Sequence, residues 1–178
     1  MLAAGLGALH SLPFVRTEAW WLQLACVALL AWRVAQSAPW RAAGLGLAFG
    51  SAWLAAGTWW LFISLHRYGG LPAWMAVLAV ALLSALLSLY LAAAMAVFAR
   101  GQRSRPGVDA LLFAAVWLLA ELARGQWFTG FPWVAAGYAH VDGPLATLAP
   151  WIGVYGMGAV GAALAAWVGL AMAGPVRR

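Results

Sequence analysis

The most informative part of this sequence is the stretch from residue 119 to residue 138, LAELARGQWFTGFPWVAAGY. It begins as an apolar helix that carries one acidic and one basic residue, Glu121 and Arg124. It continues into a run of aromatic residues and residues that shape the backbone: Trp127, Phe128, Gly130, Phe131, Pro132 and Trp133. Trp residues concentrate where a membrane meets water. The stretch therefore predicts the end of a membrane helix followed by an aromatic loop at the membrane surface.

Glu121 and Arg124 are three positions apart on the predicted helix, so their side chains share a face and can pair. Trp117 lies one turn before Glu121 on the same face. Charged groups inside a membrane are costly unless they pair or face the bundle interior, and an intramembrane Glu is a candidate functional residue. Two interpretations stay open: the pair serves function, or it fixes the end of the helix.

The aromatic residues also allow two interpretations. An interfacial belt places Trp at the level of the lipid headgroups in almost any membrane protein. A belt does not require a shaped loop, however, whereas Pro132 fixes one φ angle and Gly130 relaxes another. The Gly-Phe-Pro-Trp core therefore favours a loop with a defined conformation.

Composition independently indicates a membrane protein. The chain is 66% hydrophobic and 8% charged, with a mean hydropathy of +0.90, and a soluble domain could not bury that much apolar surface. The net charge of +6 comes from ten Arg residues in short segments between apolar runs. They are topology signals rather than a nucleic-acid site. No metal-ligand cluster, phosphate-binding loop or serine triad pattern occurs, and we expect no cofactor and no metal.

We predict an all-α, polytopic membrane helix bundle with about five to six transmembrane helices, forming one membrane domain over residues 1–178. A span needs roughly 20 apolar residues. The first segment, 1–14, is shorter and is predicted to be a partial first helix. The predicted spans are 19–35, 42–65, 72–99, 108–123 and 151–173. Gly46 and Gly50 should let a neighbouring helix approach closely.

The distribution of Arg predicts the orientation. Seven Arg follow the second, fourth and sixth helices, and three lie on the opposite side: Arg16, Arg67 and Arg124. Because cytoplasmic loops are enriched in Arg and Lys, the larger group should be cytoplasmic. The loop over 124–150 and a second turn, formed by Gly69, Gly70 and Pro72, should then face the periplasm.

Several motifs carry a resemblance to a known family. They are Thr129-Gly130-Phe131-Pro132-Trp133, Gly137-Tyr138, Asp142-Gly143-Pro144-Leu145 and, upstream, Gly69-Gly70-Leu71-Pro72. The chain resembles the membrane region of apolipoprotein N-acyltransferase over nearly its whole length. That resemblance implies a bacterial inner-membrane protein. It also implies lipoprotein maturation, in which an acyl chain passes from a phospholipid to the N-terminal diacylglyceryl-cysteine of an apolipoprotein.

In that family the reaction belongs to a nitrilase-like domain, outside the membrane, that uses Cys, Glu and Lys. This chain has no Lys, and its one cysteine, Cys26, lies in apolar sequence without a nearby base, so we interpret it as a packing residue. We therefore carry over no catalytic residue and predict that the chain alone is inactive. We expect a fragment of a longer enzyme, with the nitrilase-like domain in cis or in trans.

By resemblance, the chain anchors the catalytic domain and admits two substrates, the phospholipid acyl donor and the diacylated apolipoprotein. Arg124 or Arg67 could meet a lipid phosphate, and Tyr138 and His140 could bond a headgroup or neighbouring backbone. A stand-alone, non-catalytic lipid-binding scaffold remains the main alternative. A small transporter is a weaker one, because no internal repeat is evident.

Overall fold

The structure is a computed structural model that describes residues 1–173, without the side chain of Ala173. Within that range the fold is all-helical and contains no strand, as the composition and apolar runs predict. The eight α-helices are α1 Leu2–His10, α2 Trp20–Ala35, α3 Pro39–Gly57, α4 Trp60–Ile63, α5 Ala73–Leu87, α6 Leu89–Gly101, α7 Pro106–Gln126 and α8 Ala149–Ala173. A π-helical turn, Ser64–Tyr68, follows α4.

Three helical segments are long and apolar enough to cross a membrane: Ala73–Gly101, Pro106–Thr129 and Pro144–Met172. The helices Pro39–Gly57 and Trp60–Tyr68 meet at a bend of 55° and make a fourth span if they count together. The described chain thus has three or four candidate spans, against the predicted five to six. The difference arises because α2 has 16 residues and α1 has 9, both below the roughly 20 that a span needs.

The predicted ranges can be set beside the observed helices. Prolines mark two helix starts, since Pro39 and Pro106 are the first residues of α3 and α7, where the missing N–H costs nothing. The predicted span 42–65 falls on α3 and α4, and 72–99 falls on α5 and α6, which are separated by the turn residue Ser88. The range 124–150 is not an open loop, because α7 continues to Gln126 and short 3-10 turns follow: Trp127–Thr129, Ala136–His140 and Pro144–Leu148.

Helix α3 packs chiefly against α1 and α6 and also contacts α5. Small residues permit this approach, as the Gly46 and Gly50 spacing predicts. A side chain at Gly46 would meet the Leu91 carbonyl at 2.8 Å, and one at Gly50 would meet the Ser88 hydroxyl at 2.8 Å. Van der Waals packing of this kind is what associates helices in a membrane.

The bundle has two chemically different ends. At the arginine end, Arg33, Arg41 and Arg100 lie at helix termini, and Arg103 and Arg105 lie in the connection to α7. Asp109 is buried there and accepts the backbone N–H groups of Arg103 at 2.7 Å and Arg105 at 2.9 Å. The Arg177 and Arg178 of the orientation argument lie outside the described residues. The opposite end, which carries the stretch around Trp127–Trp133, is the aromatic end.

Candidate functional site

Glu121 and Arg124 form a buried ion pair in the last turns of α7. Arg124 Nη2 lies 3.4 Å from Glu121 Oε1, and each side chain is 4% exposed. The three-residue spacing predicts this geometry, since such residues share a helix face. A buried pair needs further hydrogen bonds, and the chain that follows the helix supplies them to Arg124 and to Glu121 Oε1, whereas Glu121 Oε2 is buried without a hydrogen-bond partner.

Arg124 holds the aromatic loop, defined here as residues 127–134, through the backbone. Its Nη1 donates to the carbonyl of Phe131 at 3.0 Å and to that of Trp133 at 2.7 Å. The carbonyl of Arg124 in turn accepts the N–H of Phe131 at 2.7 Å. A single side chain and its own backbone therefore fix the position of the loop against the end of α7.

Glu121 completes the attachment on the far side of the loop. Its Oε1 accepts the N–H of Ala136 at 2.8 Å, and Gln23 Nε2 of α2 donates to the carbonyl of the same residue at 2.9 Å. Gly158 of α8 makes room for Glu121 Oε2, because a Cβ atom at position 158 would lie only 3.0 Å from that oxygen. Sequence analysis did not identify Gln23, although it is a polar residue within the apolar run of α2.

Aromatic rings surround the buried pair. The Arg124 guanidinium carbon lies 5.5 Å from the centre of the Trp53 ring, within reach of a cation–π interaction. Trp53 stacks on Trp117 at 5.7 Å, and His10 meets Trp53 edge-on at 4.5 Å. Trp117, one turn before Glu121, is fully buried. The pair is thus enclosed by α1, α3 and α7.

The aromatic loop has an unusual backbone. Phe128, Thr129 and Val134 have positive φ angles of 52°, 74° and 52°, which cost about 1–2 kcal/mol each for residues other than glycine. Gly130 also has a positive φ, 77°, and a side chain there would collide with the carbonyl of Gly125. Gly130 therefore adopts a backbone conformation that favours glycine, at a point where the loop lies close to the end of α7.

The outer surface of the loop is aromatic. Phe128 is 91% exposed, Trp127 62% and Trp133 55%, and Pro132 is also exposed, whereas Phe131 is partly buried. Trp133 meets Trp60 edge-on at 5.7 Å, and Trp127 meets Tyr90 at 6.0 Å. The rings lie outside while their backbone is fixed from within, so the loop presents a preformed apolar surface.

A narrow groove with a volume of about 20 Å³ lies beside the buried pair. It lies between α3, the α5–α6 break and α7, and its apolar wall includes Leu54, Leu87 and Leu91. Ser88, Tyr90, Glu121 and Arg124 supply its polar groups. The groove therefore joins apolar surface to a charged interior.

The other predicted positions lie at the same end but differ in exposure. Tyr138 is 51% exposed. His140 is fully buried, so it cannot reach a headgroup, and burial lowers its pKa. Asp142 accepts a hydrogen bond from the Thr17 hydroxyl.

The second turn is connected to the helix before it. Gly70 has a φ of 69°, the N–H of Leu71 donates to the Leu65 carbonyl at 3.1 Å, and Pro72 immediately precedes α5. The contact between this region and the aromatic loop comes from Trp60 of α4. Arg67 is exposed, unlike Arg124 of the buried pair.

These features define a membrane-embedded helical domain in which a buried ion pair holds an exposed aromatic loop. Residues 6–168 match the family described as apolipoprotein N-acyltransferase N-terminal domain. The chain belongs to this family. It is 55% identical over 171 residues to the apolipoprotein N-acyltransferase of Verminephrobacter eiseniae, covering 92% of this chain and 32% of that protein.

A second relative, the apolipoprotein N-acyltransferase of Ralstonia nicotianae, is 49% identical over 181 residues, covering 99% of this chain and 34% of that protein. A putative apolipoprotein N-acyltransferase of Bordetella parapertussis is 40% identical over 194 residues, covering 97% and 34%. The chain thus spans about a third of the length of the relatives it matches. Its family is the one that the Gly-Phe-Pro-Trp motif indicates.

Proposed function

We propose that this chain is the membrane part of an enzyme that transfers an acyl chain from a phospholipid to the N-terminal diacylglyceryl-cysteine of apolipoproteins. In this role it anchors the catalytic domain and admits the two lipid substrates. Family membership supports the reaction. The main support for the role of the membrane part is the aromatic loop, which exposes its rings while Arg124 fixes its backbone.

The loop would act by contact with acyl chains. Exposed Phe and Trp rings at headgroup depth partition into the boundary between headgroups and hydrocarbon. Because the loop is already fixed, little conformational entropy is lost when a lipid packs against it.

We assign the aromatic end to the periplasm and the protein to the bacterial inner membrane. Five described Arg lie at the arginine end, and Arg16, Arg67 and Arg124 lie at the aromatic end. Arg124 is buried in a pair, which leaves two exposed Arg there. Positive residues favour the cytoplasmic side, so the loop would face the compartment in which lipoproteins receive their final acyl chain.

The acyl-transfer chemistry itself we assign to a nitrilase-like domain that acts with this chain in cis or in trans. Cys26 is buried in the interior of α2, without the basic neighbour that activates a nucleophilic thiol. The membrane part would contribute substrate position rather than a reacting group.

A domain exchange tests this proposal. The chain replaces the matching first third of the Verminephrobacter eiseniae protein, and the chimera is expressed in a strain whose own apolipoprotein N-acyltransferase can be switched off. Mass spectrometry of a lipoprotein's N-terminal peptide should detect the third acyl chain. A chimera that reaches normal membrane levels but leaves the lipoprotein diacylated would contradict the proposal.

The Trp133→Ala variant of the chimera tests the loop. Loss of this half-exposed ring should reduce acylation more than it reduces the amount of protein in the membrane, because the side chain contributes surface and the backbone attachment remains. The readouts are acylated lipoprotein and chimera abundance, measured on the same membranes. If abundance collapsed while activity per molecule stayed normal, the loop would be structural only.

A further inference from the structure

A second groove lies at the arginine end, between α1, α2 and α3. Its volume is about 330 Å³, near the lower end of the range of natural ligand sites. Leu6, Leu30 and Leu45, one from each helix, form apolar wall, and no acidic residue is among those that line it. Among the lining residues one side chain is charged, that of Arg33 in the last turn of α2.

Arg33 is available to an anion. It is exposed, its guanidinium carbon lies 5.5 Å from the ring of the adjacent Trp32, and the ion pair found in residues 1–173 joins Glu121 to Arg124 instead. Arg41, at the start of α3, adds positive charge at the same end and stacks on Trp40 at 4.8 Å. An Arg beside an aromatic ring at a membrane surface is well placed to meet a phosphate.

Gly44 keeps the groove open. It lines the groove from α3, and a side chain built there would meet nothing within 4 Å. This contrasts with Gly46 and Gly50 on the same helix, whose missing side chains are replaced by a neighbouring helix. The space above Gly44 is therefore unfilled by the described chain.

We propose that this groove binds one anionic phospholipid, with an acyl chain along Leu6, Leu30 and Leu45 and the phosphate at Arg33. The combination of apolar walls, one cationic residue and no acidic residue complements a molecule that is apolar along its length and negative at its head. Basic pockets between membrane helices recognise lipid headgroups in this way. The site lies at the opposite end of the bundle from the aromatic loop, so its lipid is not the acyl donor.

Native mass spectrometry of the full 178-residue chain tests the site. The purified protein is stripped of lipid in detergent and given an equal mixture of dioleoyl phosphatidylglycerol and dioleoyl phosphatidylcholine, which have the same acyl chains. One bound lipid should predominate, with phosphatidylglycerol preferred about fivefold, as expected for one Arg near an anionic group. Equal retention of the two lipids would overturn the proposal.

Two pairs of variants locate the effect. Arg33→Gln should reduce the preference to about one, whereas Arg100→Gln, which removes an exposed charge at the same end but outside the groove, should preserve it. Gly44→Leu should fill the groove and abolish retention of the lipid. Gly5→Leu adds the same side chain at another open position on α1, outside the groove lining, and should retain the lipid.

Thermal unfolding of each variant confirms that it is folded before lipid is counted. The proposal fails if the preference survives Arg33→Gln, or if folded Gly44→Leu protein retains as much lipid as the unsubstituted chain. Both measurements report lipid binding rather than acyl transfer, so they test this site independently of the proposed enzymatic role.

Discussion

At each end of the bundle a buried carboxylate accepts backbone N–H groups of the adjacent loop, but the two loops expose different side chains. At the arginine end, Asp109 accepts two backbone N–H groups and the loop displays charged side chains. At the aromatic end, Glu121 accepts one backbone N–H group, and Arg124 adds two bonds to carbonyls. The loop there displays large apolar rings and contains three non-glycine residues with positive φ, against one, Ser104, in the arginine-end loop.

The difference shows what an exposed apolar loop requires. Solvated Arg side chains tolerate several backbone conformations, so the Asp109 carboxylate and the bond from Gln102 Nε2 to the Ala35 carbonyl at 2.8 Å are sufficient to order the arginine-end loop. Aromatic rings would pack inward if the loop were free, because burial of a ring is favourable. Fixing both donors and acceptors of the backbone from inside the bundle keeps the rings outside.

Arg124→Met should have the largest effect. It leaves the Glu121 carboxylate buried without its partner and releases two loop carbonyls, and removal of one member of a buried pair costs about 3–5 kcal/mol. The unfolding temperature in detergent should fall sharply. Combining it with Glu121→Gln, which removes the orphaned charge, should recover part of the loss. If the double variant is no more stable than Arg124→Met, the pair is not coupled as described.

Asp109→Asn should have a smaller effect at the other end. The amide keeps one acceptor oxygen but loses the charge and the second acceptor, so about 1–2 kcal/mol is expected. Amide hydrogen exchange should accelerate over residues 103–105 and remain unchanged in the aromatic loop. Faster exchange at both ends would mean that the two loops are not independent.

Phe128→Gly should stabilise the protein, unlike the two preceding substitutions. Phe128 is 91% exposed and has φ 52° and ψ 49°, a conformation that glycine adopts without the cost of about 1 kcal/mol. The glycine variant should therefore be more stable than Phe128→Ala, which loses the same ring and keeps the strain. Equal unfolding temperatures for the two variants would contradict the strain. Both variants should reduce acylation in the chimera.

The smallest expected effect is that of acidification on the free energy of unfolding, through His140 at the aromatic end. Burial lowers the pKa of His140, so below about pH 6.5 the unfolded chain binds a proton that the folded chain does not. The contribution of His140 to the free energy of unfolding should fall as pH falls, by about 1 kcal/mol at pH 5.5. His140→Gln removes this contribution, so its unfolding temperature should depend less on pH. Identical pH profiles would exclude titration of His140.

Much of the fold was predictable from local sequence. The composition specifies membrane helices, Pro39 and Pro106 mark helix starts, and Gly46 and Gly50 mark a close helix contact. The break at Ser88 was not predicted, because the surrounding residues, Ser84 to Leu91, include no Gly or Pro. There the Ser88 hydroxyl donates to the Ser84 carbonyl at 2.6 Å, and the turn is fitted against Gly50 of another helix.

The residues of the candidate site were easier to predict from the sequence than the contacts between them. Spacing alone predicts that Glu121 and Arg124 pair. It does not predict that Arg124 binds the carbonyls of Phe131 and Trp133, since those bonds depend on how the chain turns after the helix. Gln23 lies 113 positions from its acceptor, so only the tertiary structure brings it to the site.

The helix pair α5–α6 has a consequence for bilayer thickness. Its 29 residues extend about 43 Å, whereas the 21 residues of α7 extend about 31 Å. Since the hydrocarbon layer is about 30 Å thick, α7 matches it and α5–α6 exceeds it, so the longer helix must tilt or project beyond the membrane. A thinner bilayer increases that hydrophobic mismatch, so we expect the tilt or projection of α5–α6 to increase as the membrane becomes thinner.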